Sequence, residues 1–205
     1  MTAQELVDAA AGLLVDLDGT LVDSSLPVTR VWADFAHRHG LDPVEVLRFA
    51  HGRPSRETVR LLAPDADPTL EAQIIEDAEV GDAEGVVALP GAAALLASGR
   101  RLALVTSCSA ALAGVRLTAA GLPEPDVIIS SDLVKHGKPH PECFSLGATR
   151  LTLTNAGCLV LEDAPAGVRA GVDAGSPVVA VRTTHRGADL TAASAVIDDL
   201  SQLRW

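Results

Sequence analysis

Asp16 and Asp18, two carboxylates one residue apart, end the apolar run Gly12-Leu13-Leu14-Val15 and precede a Gly19-Thr20 turn. A run without a polar break suits a strand covered on both faces, as in parallel sheets flanked by helices. Asp-Gly-Thr ends such a strand. Ligands of open α/β sheets bind beyond the carboxyl ends of the strands, so both acids stand where chemistry is expected. Taken alone, the pair reads equally as an ordinary strand end with solvated acids. The choice rests on what else reaches the same place.

Three further stretches offer polar groups of different kinds at strand ends. Thr106-Ser107 ends an expected strand and precedes a helix from about Ser109. A hydroxyl there, with backbone N–H groups and the helix start, makes an anion cradle or an ordinary helix cap. Lys135-His136-Gly137-Lys138-Pro139-His140-Pro141 holds the only two lysines of a chain whose other cationic residues are arginine. A compact ammonium can sit against a phosphoryl oxygen and a carboxylate together, where a planar guanidinium would not fit. Gly137 and the prolines fix the backbone around Lys138, which suits a positioned group; Lys135 reads as a solvated loop residue. Glu162-Asp163 closes the run Leu159-Val160-Leu161, either as acids at a helix amino terminus or as cation ligands. Asp16, Asp163 and the Asp18 carbonyl would offer Mg2+ its few oxygen ligands, with water and phosphate completing an octahedron.

The elements that must position these groups follow from periodicity. From Leu89 onward helices and strands alternate, the mark of a parallel sheet with crossover helices. The strands are expected at Leu102–Thr106, Val127–Ser130, Cys158–Leu161, Val178–Val181 and Ala195–Ile197, and the helices at Pro90–Ser98, Ala110–Ala120, Pro141–Arg150 and Ala166–Ala174. Between about Pro27 and Ala88 helical spacing replaces strands. Val31, Phe35 and His39 share one face; Val44, Leu47 and Phe49 begin a second helix after Pro43; a third starts near Ser55 and runs through Val59, Leu61 and Leu62; a fourth runs from Pro68 through Leu70, Ile74, Ile75 and Ala78 to Gly81. The chain therefore reads as an α/β core, residues 1–26 and 89–205, with an inserted four-helix cap, residues 27–88.

Composition narrows the partners. At 205 residues and 48% hydrophobic content the chain can bury a sizeable core, and with 2% aromatic residues that core is aliphatic. A formal charge of -11 argues against nucleic acid and against anionic membrane surfaces, so any attraction of an anionic substrate must be local. Cys108, Cys143 and Cys158 match neither a disulfide framework nor a zinc site, which suits a reducing cytoplasm. Glu5, Asp8 and Asp16 break the amino-terminal apolar stretch, so neither a signal nor a transit peptide is expected there. No apolar run approaches the roughly 18 residues of a membrane span. A monomer is the default expectation.

Asp16-Leu17-Asp18-Gly19-Thr20, Thr106-Ser107, Gly137-Lys138-Pro139-His140-Pro141-Glu142 and Glu162-Asp163-Ala164-Pro165-Ala166-Gly167 together resemble the four motifs of the haloacid-dehalogenase-like hydrolase superfamily, in order and across essentially the whole chain. The insertion between the first two is similar to its helical-cap class. His51-Gly52-Arg53 and Leu89-Pro90-Gly91 resemble the small sugar-phosphate and polyol-phosphate phosphatases within it. The resemblance implies a Rossmann-like core, a small phosphorylated metabolite as substrate and a magnesium cofactor. It implies Asp16 as nucleophile forming an aspartyl-phosphate, and Asp18 as acid and then base. Leu17, Thr106, Ser107 and Lys138 would bind the phosphoryl group. Asp16, Asp18 and Asp163 would hold the metal, with Glu162 assisting from behind. Within the cap, Arg53, Arg56 and Arg60 follow near-helical spacing; Arg53 and Arg56 read as substrate contacts or as solvated surface. Trp32 and Phe35 read as cap core, and His140 and His185 have no partner that spacing identifies.

A β-phosphoglucomutase-like enzyme uses the same aspartates, but its pattern places a histidine about ten residues after the second aspartate, where this chain has Val28. A phosphonate-cleaving relative would need a cap lysine, and residues 27–88 contain none. A dehalogenase has no use for Asp18 and magnesium. A non-catalytic sugar-phosphate sensor would not need both Asp16 and Asp18.

Overall fold

A computed structural model describes residues 1–50 and 54–205. The chain opens with α1 (Ala3–Ala9), β1 (Gly12–Val15) and β2 (Val22–Asp23), then runs through α2 (Ser25–His39), α3 (Pro43–Ala50), α4 (Ser55–Leu62) and α5 (Pro68–Gly81). It continues with β3 (Val87–Ala88), α6 (Ala92–Leu96), β4 (Leu102–Val105), α7 (Ala110–Ala119), β5 (Ile128–Ile129) and α8 (Glu142–Arg150). Last come β6 (Cys158–Glu162), α9 (Pro165–Asp173), β7 (Val178–Val181) and β8 (Ala195–Ile197). Among the described residues six strands form one parallel sheet in the order β5-β4-β1-β6-β7-β8.

Strand alternation builds two cores. Leu13 and Val15 of β1, Leu104 of β4, Leu159 and Leu161 of β6 and Val179 and Val181 of β7 face one side, where Leu6 and Val7 of α1, Leu95 of α6 and Leu117 of α7 cover them. Leu14, Ala103, Val105, Val160, Val178 and Ala180 face the other, under Phe144 and Ala148 of α8 and Val168 and Ala170 of α9. Successive side chains of a strand point to opposite faces, so an unbroken apolar run is what a sheet covered on both sides requires. Each fully buried Leu or Val stabilises by about 1.5–3 kcal/mol.

Local signals set the helix ends. Ser109 caps α7 by accepting from Leu112 N, and Asp67 caps α5 ahead of Pro68 by accepting from Thr69 N and Leu70 N. The helix α1, which periodicity did not suggest, is fixed by a capping box between Thr2 and Glu5. The helix expected from Pro90 is shorter, Ala92–Leu96, because Gly91 stands outside it as the amino-terminal cap.

Helices α2 to α5 pack around their own apolar cluster, which includes Trp32, Phe35, Val46, Val59 and Ile75. Trp32 and Phe35 meet edge to face with centroids 5.4 Å apart. Two expected faces are rotated: α3 buries Val46 and Ala50 and exposes Val44, and α5 buries Ile75 and Glu79 and exposes Leu70. The antiparallel pair β2 and β3 ties the stretch where the chain leaves the sheet for these helices to the stretch where it returns. That pairing was not legible in two-residue strands.

Candidate active site

The sheet order places β1 between β4 and β6. The chain runs outward on one side through β4 and β5 and then crosses back to β6, so this is the point where the strand order reverses, the usual ligand crevice of an open α/β sheet. Asp16 follows β1, Thr106 follows β4, and Glu162 ends β6 with Asp163 next. Asp16 N donates to Leu161 O at 3.0 Å, which fixes the backbone of the first acid against the neighbouring strand.

Lys138 reaches this edge from the loop before α8. Its Nζ donates to Asp16 Oδ1, to Glu162 Oε1 at 2.7 Å and to the Val105 carbonyl at 3.0 Å. Three acceptors satisfy the three donors of an ammonium, and 3% of the side chain is exposed. The Phe144 ring lies beneath, its centroid 5.1 Å from Nζ. Glu162 is engaged at both oxygens: Oε2 accepts from Asp163 N and Ala164 N, each at 2.8 Å. Gly167, in the first turn of α9, leaves the space that the Glu162 carboxylate occupies, and a Cβ there would overlap it. Asp163 Oδ2 accepts from the Thr184 hydroxyl. Gly19, at φ 80°, lies against the same Asp163 carboxylate, so both conformation and space demand glycine.

Asp16 and Glu162 share one ammonium with Asp163 close by, and the ionisation of Asp16 and Asp163 reflects this crowding. Burial pushes the Asp16 carboxyl up to about 7, with Lys138 pulling it down and Glu162 pushing it up further. Burial, then the charges of Glu162 and Asp16, hold Asp163 well above the usual carboxylate range. For Lys138 burial acts to lower the ammonium's pKa, but Asp16 and Glu162 more than offset it and hold it above the ordinary value. One oxygen each from Asp16, Glu162 and Asp163 lies within 4.8 Å of the others. An all-oxygen donor set with surplus negative charge fits a hard divalent cation.

Asp18 lines the same cleft but is held by other partners. Its Oδ1 accepts from the Ser24 hydroxyl at 2.6 Å and its Oδ2 from Arg116 Nη1 at 2.5 Å. Arg116 Nη2 also stands 3.2 Å from Glu79 Oε2 on α5. Burial pushes the Glu79 carboxyl up to about 7 even though Arg116 opposes it. Cys108, beside Thr106 Oγ1 at 3.0 Å, has its thiol pushed up to about 12 by burial and by the Asp18 charge, which disfavours the thiolate form.

These groups open into a cleft of about 1120 Å³ lined from both sides. The sheet side supplies Asp16, Asp18, Thr106, Ser107, Lys138, Glu162 and Asp163; the helical block supplies Val28, Trp32, Arg56, Arg60, Gln73, Glu76 and Glu79. Arg56 donates to Thr69 Oγ1 at 2.9 Å. Leu17 is not brought to the lining: its side chain is in the core, and its carbonyl accepts from Leu21 N and Val22 N. His51 and Arg53 lie outside the described residues. His140 and His185, without evident partners in the sequence, both have them: the His140 ring lies tilted at 45° to that of His136 with centroids 4.8 Å apart, and His185 Nδ1 is 2.9 Å from Thr184 Oγ1.

Arg116, Glu79, Ser24 and Thr184 were not anticipated. For two of them a signal existed. Leu112, Ala113, Arg116 and Leu117 share the buried face of α7, and Ile75 and Glu79 share that of α5. A charge set in an apolar helical stripe requires a partner.

A family model described as haloacid dehalogenase-like hydrolase matches residues 11–175. Hexitol phosphatase A of Escherichia coli is 43% identical over 199 residues, covering 94% of this chain and 92% of that protein. 2-Deoxyglucose-6-phosphate phosphatase 2 of Saccharomyces cerevisiae is 32% identical over 216 residues, covering 93% and 88%. In fold, the chain superposes on β-phosphoglucomutase of Clostridium difficile with a TM-score of 0.83 at 23% identity, covering 96% of this chain and 94% of the other.

Proposed function

The chain belongs to the haloacid dehalogenase-like hydrolase family and is a phosphoric monoester hydrolase; we propose that it removes phosphate from small sugar or polyol phosphates through an aspartyl-phosphate on Asp16. The observation that carries this reading is the convergence of Asp16, Asp18, Thr106, Lys138 and Asp163 on one cleft. Relatives that act on hexitol and deoxyglucose phosphates support the substrate class.

In this mechanism Asp16 attacks phosphorus and its carboxylate becomes an acyl phosphate. Asp18 gives a proton to the departing alkoxide and then takes one from the water that hydrolyses the intermediate. The Thr106 hydroxyl and the Ser107 backbone hold phosphoryl oxygens, and Lys138 offsets their charge while steadying Asp16. Magnesium is the cation we assign to Asp16, Asp163 and the Asp18 carbonyl, with Glu162 fixing Lys138 and the Asp163 backbone from behind. When bound it supplies charge that keeps Asp16 ionised and draws electron density from the phosphoryl oxygens.

We take residues 1–26 and 89–205 as the catalytic core and 27–88 as a cap that selects the leaving group, a division supported by the cap's separate apolar cluster. Arg56 and Arg60 are the described cap cations facing the cleft. One chain supplies every residue named, so a monomer suffices, and three unpaired cysteines suit a reducing, cytoplasmic setting. Among the described residues no helix is long and apolar enough to cross a membrane. Phosphomutase chemistry is the alternative. Val28, half-buried at the cleft, offers no second proton-transfer group. A screen of phosphate release from sugar and polyol phosphates, with magnesium and with chelator, tests the reading. Release from several esters that Asp16→Asn abolishes supports it; isomerised ester without net release overturns it.

A further inference from the structure

Arg116 holds two acids from distant parts of the chain. Its Nη1 donates to Asp18 Oδ2 at 2.5 Å, and its Nη2 lies 3.2 Å from Glu79 Oε2 near the end of α5. Only 6% of the Arg116 side chain and 9% of the Glu79 side chain are exposed. A guanidinium is a rigid planar fork, so moving the acid at one end shifts the geometry at the other. Burial makes the Arg116–Glu79 half of the arrangement obligatory, because either group without the other would be an uncompensated charge out of water, while Asp18, with 31% of its side chain exposed, stays open to the cleft. The other Asp18 oxygen is held by the Ser24 hydroxyl at 2.6 Å, and Ser24 is the cap residue of α2. Both handles on Asp18 therefore lead into the helical block, one at its first helix and one near the end of its last.

We propose that Arg116 is a positioning residue that, with Glu79 as its anchor, aims the Asp18 carboxylate and so ties proton transfer at Asp18 to the seating of the helical block. The proposal rests on the reading of Asp18 as proton donor to the leaving oxygen. It separates Arg116 from a purely structural ion pair, which would change stability alone. It also separates Arg116 from a contact to substrate hydroxyls, which would depend on the substrate carrying them.

The test is the dependence of kcat/KM on leaving-group acidity over a series of substituted phenyl phosphates that carry no free hydroxyl. This parameter reports steps up to transfer of the phosphoryl group to Asp16. A well-aimed donor keeps the dependence shallow, since poor leaving groups receive their proton. Arg116→Met is expected to steepen it, lowering the rate on the least acidic leaving group about tenfold relative to the most acidic. Glu79→Gln keeps the side chain's shape and removes its charge; it is expected to steepen the dependence about threefold in the same direction. The double variant should be no steeper than Arg116→Met alone, and Arg116→Lys should recover part of the loss. An unchanged slope in Glu79→Gln, or additive effects in the double variant, overturns the proposal, and Glu79→Gln decides alone if Arg116→Met does not fold. Asp18→Asn serves as reference. If it leaves the slope unchanged, the reading of Asp18 falls and takes the proposal with it; if it steepens the slope while Arg116→Met does not, only the role of Arg116 falls.

Discussion

Lys138 sets the balance of the site at the scale of single residues. It is the ammonium that Asp16 and Glu162 share, and all three are buried. Lys138→Met should therefore cost more than catalysis, because it strands two carboxylates away from water. The expected loss of stability is about 3–5 kcal/mol, read from urea denaturation, together with a fall of about 10²-fold or more in kcat. An unchanged denaturation midpoint would show that the ammonium does not bear this load. Lys138 was legible because it is one of only two lysines and stands in a stiffened loop. Asp16 and Asp163 were legible because they break apolar runs. Arg116 and Glu79 escaped because their partners are brought together by tertiary packing, 98 residues separating Arg116 from Asp18. What sequence carried was the oddity of each charge on an apolar face, without the identity of the partner.

At the scale of elements, the carboxyl ends of β1 and β6 deliver the acids, and the loop after β7 fixes one of them. Thr184 donates to Asp163 Oδ2, and Gly19 leaves the space beside that carboxylate. Thr184→Val keeps the shape of the side chain and removes the donor, so it should weaken magnesium binding about 10–100-fold by calorimetry. Affinity equal to wild type would show that Asp163 holds its position without Thr184. Phe144→Ala, on α8 under Lys138, should cost about 3–5 kcal/mol in stability. A urea midpoint within error of wild type would mean that the ring does not carry that load. The strands of the sheet were readable from unbroken apolar runs, since burial on both faces removes polar alternation. The pair β2 and β3 was not: two residues each carry too little pattern, and their pairing joins stretches separated by the whole helical block.

Across the whole molecule, burial of Asp16 and Glu79 links stability to pH and to the cation. Both carboxyls are pushed up to about 7 in the folded chain, from ordinary values of 3.8 and 4.5. Between about pH 4 and 7 the folded form keeps protons that the unfolded chain has released, so stability falls as pH rises through this window. The surface acids Asp82 and Asp198, held below the usual range by Arg30 and Arg182, lose their protons below it and do not mask the trend. A cation beside Asp16 offsets its share. The urea midpoint of metal-free protein should thus decline from about pH 5 to about pH 7.5, and saturating magnesium should raise it more at the upper end, where protons no longer compete. A metal-free midpoint that rises over this range would contradict the burial of these acids.

The most direct test of the site is the fate of the phosphoryl group. Protein mixed with a radiolabelled sugar phosphate and magnesium, then quenched in acid before turnover is complete, should carry the label on the peptide that contains Asp16. Asp18→Asn should lengthen the lifetime of that label once it has formed, because water is no longer deprotonated for the second step. Phosphate released at the full rate with no label on Asp16, or with label on another residue, would contradict nucleophilic attack by Asp16.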